Sequence, residues 1–189
     1  MITGEARLEL PSPALWRYSE TMAAGTQISV SEYLSTSYDP DCDYVDGEVL
    51  ERKVGERDHS EIQRNLILYL GTRMRQWRIH VFPEQRVQVS PTRFRVPDVC
   101  VVSGEKPLEQ IFTKPPMLCI EILSPEDTMS RMLERAADYL AFGVAHVWVL
   151  DPRTRRAYDY TPTGMQEAKD GILRTDDPQI AVPLAEIFS

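Results

Sequence analysis

From Asp58 onward the apolar positions Ile62, Leu66, Tyr69, Leu70, Met74 and Trp77 follow the spacing of one helical face. Arg64, Arg73, Arg75 and Arg78 lie largely off that stripe, so the pattern predicts an amphipathic helix with a basic flank and Asp58 as its cap. A second stripe, Met132, Ala136, Tyr139 and Leu140, starts near Thr128 and meets a stop at Gly143. Between the two stripes stand three strand candidates: Ile79–Val89, with Val87 and Val89 alternating, Pro97–Val102, and Met117–Leu123. The last is apolar on both faces apart from Glu121, the pattern of a central strand. Ala145–Leu150 resumes as a strand, and Arg155–Thr161 follows the turn residues Asp151-Pro152-Arg153-Thr154. Further turns are expected at Thr163-Gly164 and Asp170-Gly171.

Upstream, Ser29 to Leu34 opens with a capping-type serine and carries Glu32 in its first turn, which predicts a short helix. Asp43 to Glu51 reads as a hairpin around Asp46-Gly47. Residues 1–27 sustain neither period and are expected to form an N-terminal extension, with 28–189 as one domain. A helix inserted between a strand and its later partner implies an α/β fold. We expect a mixed central β-sheet flanked by helices, with β-hairpin additions at both ends.

With 189 residues, 42% of them hydrophobic, the chain is long enough for one core. Cys42, Cys100 and Cys119 have no CxxC spacing, and the last two sit in apolar runs, so neither a disulfide scaffold nor a zinc cluster is indicated. No run approaches the ~18 apolar residues of a membrane helix, and the N-terminus lacks a secretory pattern, so a cytoplasmic protein without membrane contact is expected. The net charge of -8 argues against clamping nucleic acid by overall basicity. Yet the window from Arg52 to Arg95 holds ten Lys/Arg against four Asp/Glu. That window is either a set of solvated faces or a surface for phosphate.

Two carboxylates stand where the apolar pattern does not account for them. Glu121 is embedded in Met117-Leu118-Cys119-Ile120-Glu121-Ile122-Leu123, where an ionised acid needs compensation by an Arg, by solvent or by a ligand. Asp98 follows Pro97 at the start of an apolar run and alone reads as a turn former. Taken together, acids at corresponding points of two neighbouring strands can converge on a divalent cation, for which Mg²⁺ suits hard oxygen donors better than zinc.

These residues bring a resemblance with them. Asp43-Tyr44-Val45-Asp46-Gly47-Glu48, His59 at the head of a helix, Val96-Pro97-Asp98-Val99, Ile120-Glu121-Ile122-Leu123-Ser124-Pro125, Tyr139 to Val144 and Val147 to Pro152 together resemble the Uma-type putative restriction endonucleases of the PD-(D/E)XK nuclease superfamily. The resemblance covers roughly residues 28 to 188 in unbroken order. It implies a restriction-endonuclease-like core and Mg²⁺- or Mn²⁺-dependent cleavage of DNA. By the same resemblance Asp98 and Glu121 hold the metal, with the backbone carbonyl of Ile122 as third ligand. Asp43 matches an acid near the site and His59 a frequent His at the first long helix, which could equally bond the local backbone. The chain departs from the pattern at the basic member: Arg135 stands where the family has a Lys. Arg can stabilise charge on a phosphate but cannot deprotonate a water. The alternative is therefore a catalytically impaired module that binds nucleic acid or a protein partner. Cutting both strands of a duplex would favour a homodimer.

Overall fold

The computed structural model describes residues 27–52 and 56–189. The expected N-terminal extension lies outside these residues except for Gln27. Helix α1 (Val30–Ser35) starts from Ser29, whose hydroxyl accepts the Glu32 N–H at 3.1 Å. Strands β1 (Asp43–Val45) and β2 (Glu48–Leu50) form the hairpin, with Asp46 and Gly47 at φ 50° and 104°, as a two-residue primed turn requires.

Helix α2 (Arg57–Gly71) begins one turn position earlier than expected. Its cap is Glu56, without a side-chain bond, and Asp58 sits inside the first turn, where its charge favours the positive helix end. The stripe running on to Trp77 is interrupted at Thr72-Arg73, and α3 (Met74–Trp77) is a separate turn closed by Arg78 in the left-handed region. The stretch Ile79–Val89 is likewise two strands, β3 (Ile79–Pro83) and β4 (Val87–Ser90), which belong to different sheets. Pro83 has no N–H to extend the ladder, and Glu84, at φ 48°, redirects the chain. Strand β5 (Arg93–Arg95) then joins a four-stranded sheet of order β2-β1-β5-β4.

The larger sheet takes β6 (Val99–Ser103), β7 (Leu118–Ile122), β8 (His146–Asp151), β9 (Arg156–Thr161) and β10 (Gly164–Glu167) in the order β10-β9-β8-β7-β6-β3. It is mixed, as expected: β7 and β8 are parallel, joined through α4 (Met129–Phe142), and the other pairs are antiparallel. Thr128 caps α4, and Gly143 ends it at φ 108°, a conformation that L side chains avoid. A hairpin of β11 (Ile172–Thr175) and β12 (Ile180–Pro183) and the short α5 (Leu184–Ile187) complete the described chain.

The two helices flank the sheet. Ile62, Leu66 and Leu70 of α2 pack on Val99, Val101, Leu118, Ile120, Trp148 and Leu150. Ala136 and Tyr139 of α4 pack on Cys100, Cys119 and Val147, the alternate residues of the same strands. All three cysteines are free and buried. Among the described residues no helix is long and apolar enough to cross a membrane.

Candidate active site

Alternation along β7 sends Leu118, Ile120 and Ile122 into the α2 core and Cys119 into the α4 core, so Glu121 also faces α4. The antiparallel register of β6 on β7 pairs Val99 with Ile120, which sets Asp98 opposite Glu121 one step further on. Asp43 opens β1 in the smaller sheet. All three acids are buried: Asp98 is 3% exposed, Glu121 1% and Asp43 1%.

Each carboxylate is held in the same manner, one oxygen by an uncharged donor and the other by a guanidinium. Asp98 Oδ2 accepts the Ile122 N–H at 2.7 Å, with His59 Nε2 3.3 Å away, while Oδ1 is paired with Arg52. Glu121 Oε1 accepts the Tyr139 hydroxyl at 2.7 Å, and Oε2 accepts from Arg135 at 2.9 Å. Asp43 Oδ1 accepts the Val96 N–H at 2.9 Å. Its Oδ2 meets Arg95 at 2.9 Å and Arg135 Nε at 3.2 Å. Arg135 thus bridges Glu121 and Asp43. Beneath the bridge, Arg95 also reaches Glu134 at 3.1 Å and Asp138 at 2.7 Å.

The charges respond unequally. Burial pushes Glu121 up to about 7 despite the Arg135 charge, with Asp98 and Asp43 adding repulsion. Burial acts on Asp98 in the same sense, but the His59 hydrogen bond and the Arg52 charge outweigh it, so Asp98 lies below the ordinary carboxylate range. The Glu121 charge holds Arg135 firmly protonated. For His59, burial is overcome by the hydrogen bond to Asp98, and its pKa rises. Burial beside Glu121 drives the Tyr139 phenol well above its usual value, so it remains a donor.

Asp98, Glu121, Ile122, Arg135, Asp43 and His59 are therefore all brought into one connected cluster at one end of the central sheet. The structure adds residues that the sequence pattern did not single out: Arg52, Arg95, Tyr139 and Gln63, whose amide donates to the Asp98 carbonyl at 3.0 Å. The available signals were a tyrosine, in place of an all-carbon side chain, on the buried stripe of α4, and an arginine inside the buried run Arg93–Val99. A buried hydroxyl and a buried guanidinium both require partners. Asp138, a possible competitor for Arg135, pairs with Arg93 and Arg95 instead.

The basic window does not stay together. Arg52 and Arg95 join the cluster, Arg86 pairs with Asp41, and Arg93 with Asp46 and Asp138. Arg78 precedes Ile79, whose partner Ser103 ends β6, and its carbonyl accepts the Gly104 N–H, so it lies six residue steps along the sheet from Asp98, about 20 Å away. Arg73 stacks over Tyr69 in the last turns of α2, far from His59 in the first turn. These arginines are not aligned on the acidic cluster.

Among the described residues no three His, Cys, Asp or Glu side chains form a metal-binding group. The carboxylates of Asp98 and Glu121 and the backbone oxygen of Ile122 nevertheless gather at one end of β7. The Leu123 N–H bonds Leu150 in β8, so Ile122, one step earlier, turns its N–H and C=O to the β6 edge where Asp98 stands. Such hard oxygens, completed by water, suit Mg²⁺ or Mn²⁺. A cavity of about 220 Å³ opens over the Arg135 side, lined by Asp43, Glu48, Glu51, Arg95, Arg131 and Glu134.

A family model, Uma2, described as "Putative restriction endonuclease", matches residues 30–186. Among solved structures the chain is similar to a "putative nuclease belonging to DUF820 from Anabaena variabilis ATCC 29413", with 21% identity and a TM-score of 0.73 over 85% of this chain and 97% of that one. At this identity the likeness speaks for the fold, a restriction-endonuclease-like mixed sheet between helices. No curated protein matches the chain.

Proposed function

The chain belongs to the Uma2 family of putative restriction endonucleases, and from that premise we propose that it is a divalent-metal-dependent DNA endonuclease whose centre is the Asp98–Glu121 pair. The observation that carries this reading is the set of three buried carboxylates, each fixed through one oxygen by Ile122, Tyr139 or Val96. Burying so much negative charge costs several kcal/mol per ion, and a sheet end meant only for stability would carry apolar residues there.

Asp98, Glu121 and the Ile122 carbonyl would hold Mg²⁺ or Mn²⁺. When bound, the ion supplies charge at the scissile phosphate and makes a coordinated water a better nucleophile. The remaining steps fall to the protein. The Ile122 N–H and His59 orient Asp98, and the Tyr139 hydroxyl orients Glu121. Arg135, charged at any working pH, offsets the negative charge that builds on the phosphate oxygens. It cannot accept a proton, so a bound water or the substrate must fill that role. Cleavage of both strands of a duplex would call for a homodimer.

The Arg135 bridge favours a second reading, a nuclease-fold module that binds nucleic acid without cutting it, because its guanidinium neutralises Glu121 and Asp43 without any metal. A plasmid-cleavage assay with Mg²⁺ and with Mn²⁺ separates the two. The endonuclease reading expects cutting by the parent that is abolished in Asp98→Ala and in Glu121→Ala. Absence of cutting by the parent in both metals, with DNA still bound, leaves the binding module.

A further inference from the structure

Beside the cluster, on the same face of the sheet, lies a groove of about 520 Å³ that the proposed cleavage chemistry does not use. Its position follows from the register. Glu121 pairs with Val149 of β8, and Val149 with Tyr158 of β9. Adjacent strands are about 4.8 Å apart, so the groove starts one strand from Glu121 and its Tyr158 wall stands about 10 Å away. Tyr160, two residues along β9, lines the same face, and α4 and β10 form the sides.

Several observations distinguish this groove from ordinary surface. Its walls include Met129, 64% exposed, Leu133, 46%, and Met165, 54%, a concentration of large apolar side chains left in water. The hydroxyls of Tyr33, Tyr44, Tyr69 and Tyr139 each donate to an acceptor within the fold. Those of Tyr158 and Tyr160, like that of Tyr38 outside the groove, have no such partner among the described residues, nor does the guanidinium of Arg153 at the rim. The acids at the lip are held by uncharged donors that fix their position and leave their charge, Asp127 by Ser124 and Asp151 by the Arg153 N–H and Thr154. Among the described residues the groove thus presents two tyrosine rings, three thioethers, two phenols without a partner and one guanidinium without a partner.

Resting on the nuclease reading, we propose that this groove receives an unpaired nucleobase of the nucleic-acid strand whose phosphate lies at Asp98 and Glu121. The base lies against Tyr158 and Tyr160, the methionine side chains close over it, the phenols meet its polar edge, and Arg153 faces the adjoining phosphate. A base buried in a duplex stack cannot enter, so the groove selects single-stranded or locally opened DNA.

The test measures binding of the full chain, in Ca²⁺, to a short single-stranded oligonucleotide containing one 2-aminopurine and to the same sequence as a paired duplex. The single strand should bind about tenfold more tightly, with a change in 2-aminopurine emission as the base stacks on a ring. Tyr158→Leu, which keeps bulk and removes the ring, should weaken single-strand binding roughly tenfold and leave duplex binding unchanged. Met129→Glu, at an exposed position, should act in the same direction and carries the test alone should Tyr158→Leu not fold. Equal affinity of the parent for both forms, or an unchanged ratio in the variants, overturns the base site while leaving the nuclease reading intact. Failure of the parent to bind either form removes the nucleic-acid reading itself. A dimer that Met129→Glu dissolves in sedimentation, with the affinity ratio unchanged, assigns the groove to a second copy and also overturns the proposal.

Discussion

The two faces of the central sheet are built from alternate residues of the same strands, yet they use opposite physical chemistry. Under α2 the core is apolar apart from the Trp148 indole N–H, with Leu66, Leu70, Ile120, Trp148 and Leu150 fully buried, and only at the sheet end do His59 and Gln63 of α2 reach Asp98. Under α4 the apolar packing of Cys100, Cys119, Val147 and Tyr139 gives way, at one end, to Glu121, Arg135 and their neighbours. The difference shows how a fold can carry a costly cluster of buried charge: one face supplies stability, and the other uses part of it to hold acids in place. Substitutions on the two faces should therefore fail differently.

The largest loss is expected at Arg95, almost fully buried and in contact with Asp43, Glu134 and Asp138. Arg95→Met leaves buried carboxylates unpaired and should lower unfolding free energy by about 3–5 kcal/mol in urea titration. Arg93→Met removes a more exposed partner of Asp138 and should cost no more than about 1 kcal/mol. Equal losses at the two sites would show that burial does not set the strength of this network.

On the opposite face Leu66→Ala should cost about 2–5 kcal/mol by opening a cavity. Because it touches none of the three acids, its affinity for Mn²⁺ at a temperature where it stays folded should equal that of the parent. A large drop in affinity would mean that the two faces are not independent.

Tyr139→Phe sharpens the boundary between them, since it keeps the ring in the apolar layer and removes only the hydroxyl on Glu121. It should cost about 1–3 kcal/mol, the loss expected when a buried acceptor goes unsatisfied. An unchanged urea midpoint would place no weight on that bond.

How much of this was legible in the chain depends on the range of the interaction. Elements governed by neighbours in sequence stood out: the Asp46-Gly47 turn, Thr128 and Gly143 at the ends of α4, and β7 as an apolar run. Ile79–Val89 did not, because its division between two sheets depends on partners at Val99–Ser103 and Arg93–Arg95 rather than on its own alternation. β5 was hidden because its pattern, Arg-Phe-Arg, looks solvated until Asp43 and Asp138 are found against it. The same reason applies at the site. Asp98 and Glu121 announce themselves as acids in apolar runs, and the resemblance added Asp43, His59, Ile122 and Arg135. Arg52 belongs to no periodic pattern, and the period that places Tyr139 on the buried stripe of α4 does not show that its hydroxyl meets Glu121.

The smallest effect is expected away from the acids, at His146 on the margin of the α2 face, whose Nδ1 lies 2.8 Å from Asp159. That hydrogen bond raises the His146 pKa against the effect of burial, with Asp176 adding to the rise. A histidine raised on folding contributes stability that is complete below its unfolded value of about 6.5 and is lost as pH climbs through the raised value. His146→Gln should flatten the decline in thermal stability above about pH 6.5; an unchanged pH slope would show that the pair does not titrate as described.

Whether Asp98 and Glu121 together seat a divalent cation is read from calorimetric titration of Mn²⁺ into the parent and into Asp98→Asn without DNA. Saturable binding to the parent is expected, with affinity weaker by roughly tenfold or more in Asp98→Asn, the loss that follows when a metal site is deprived of a ligand or its support. Saturable binding of equal strength in both proteins, or none in the parent, would contradict the shared seat.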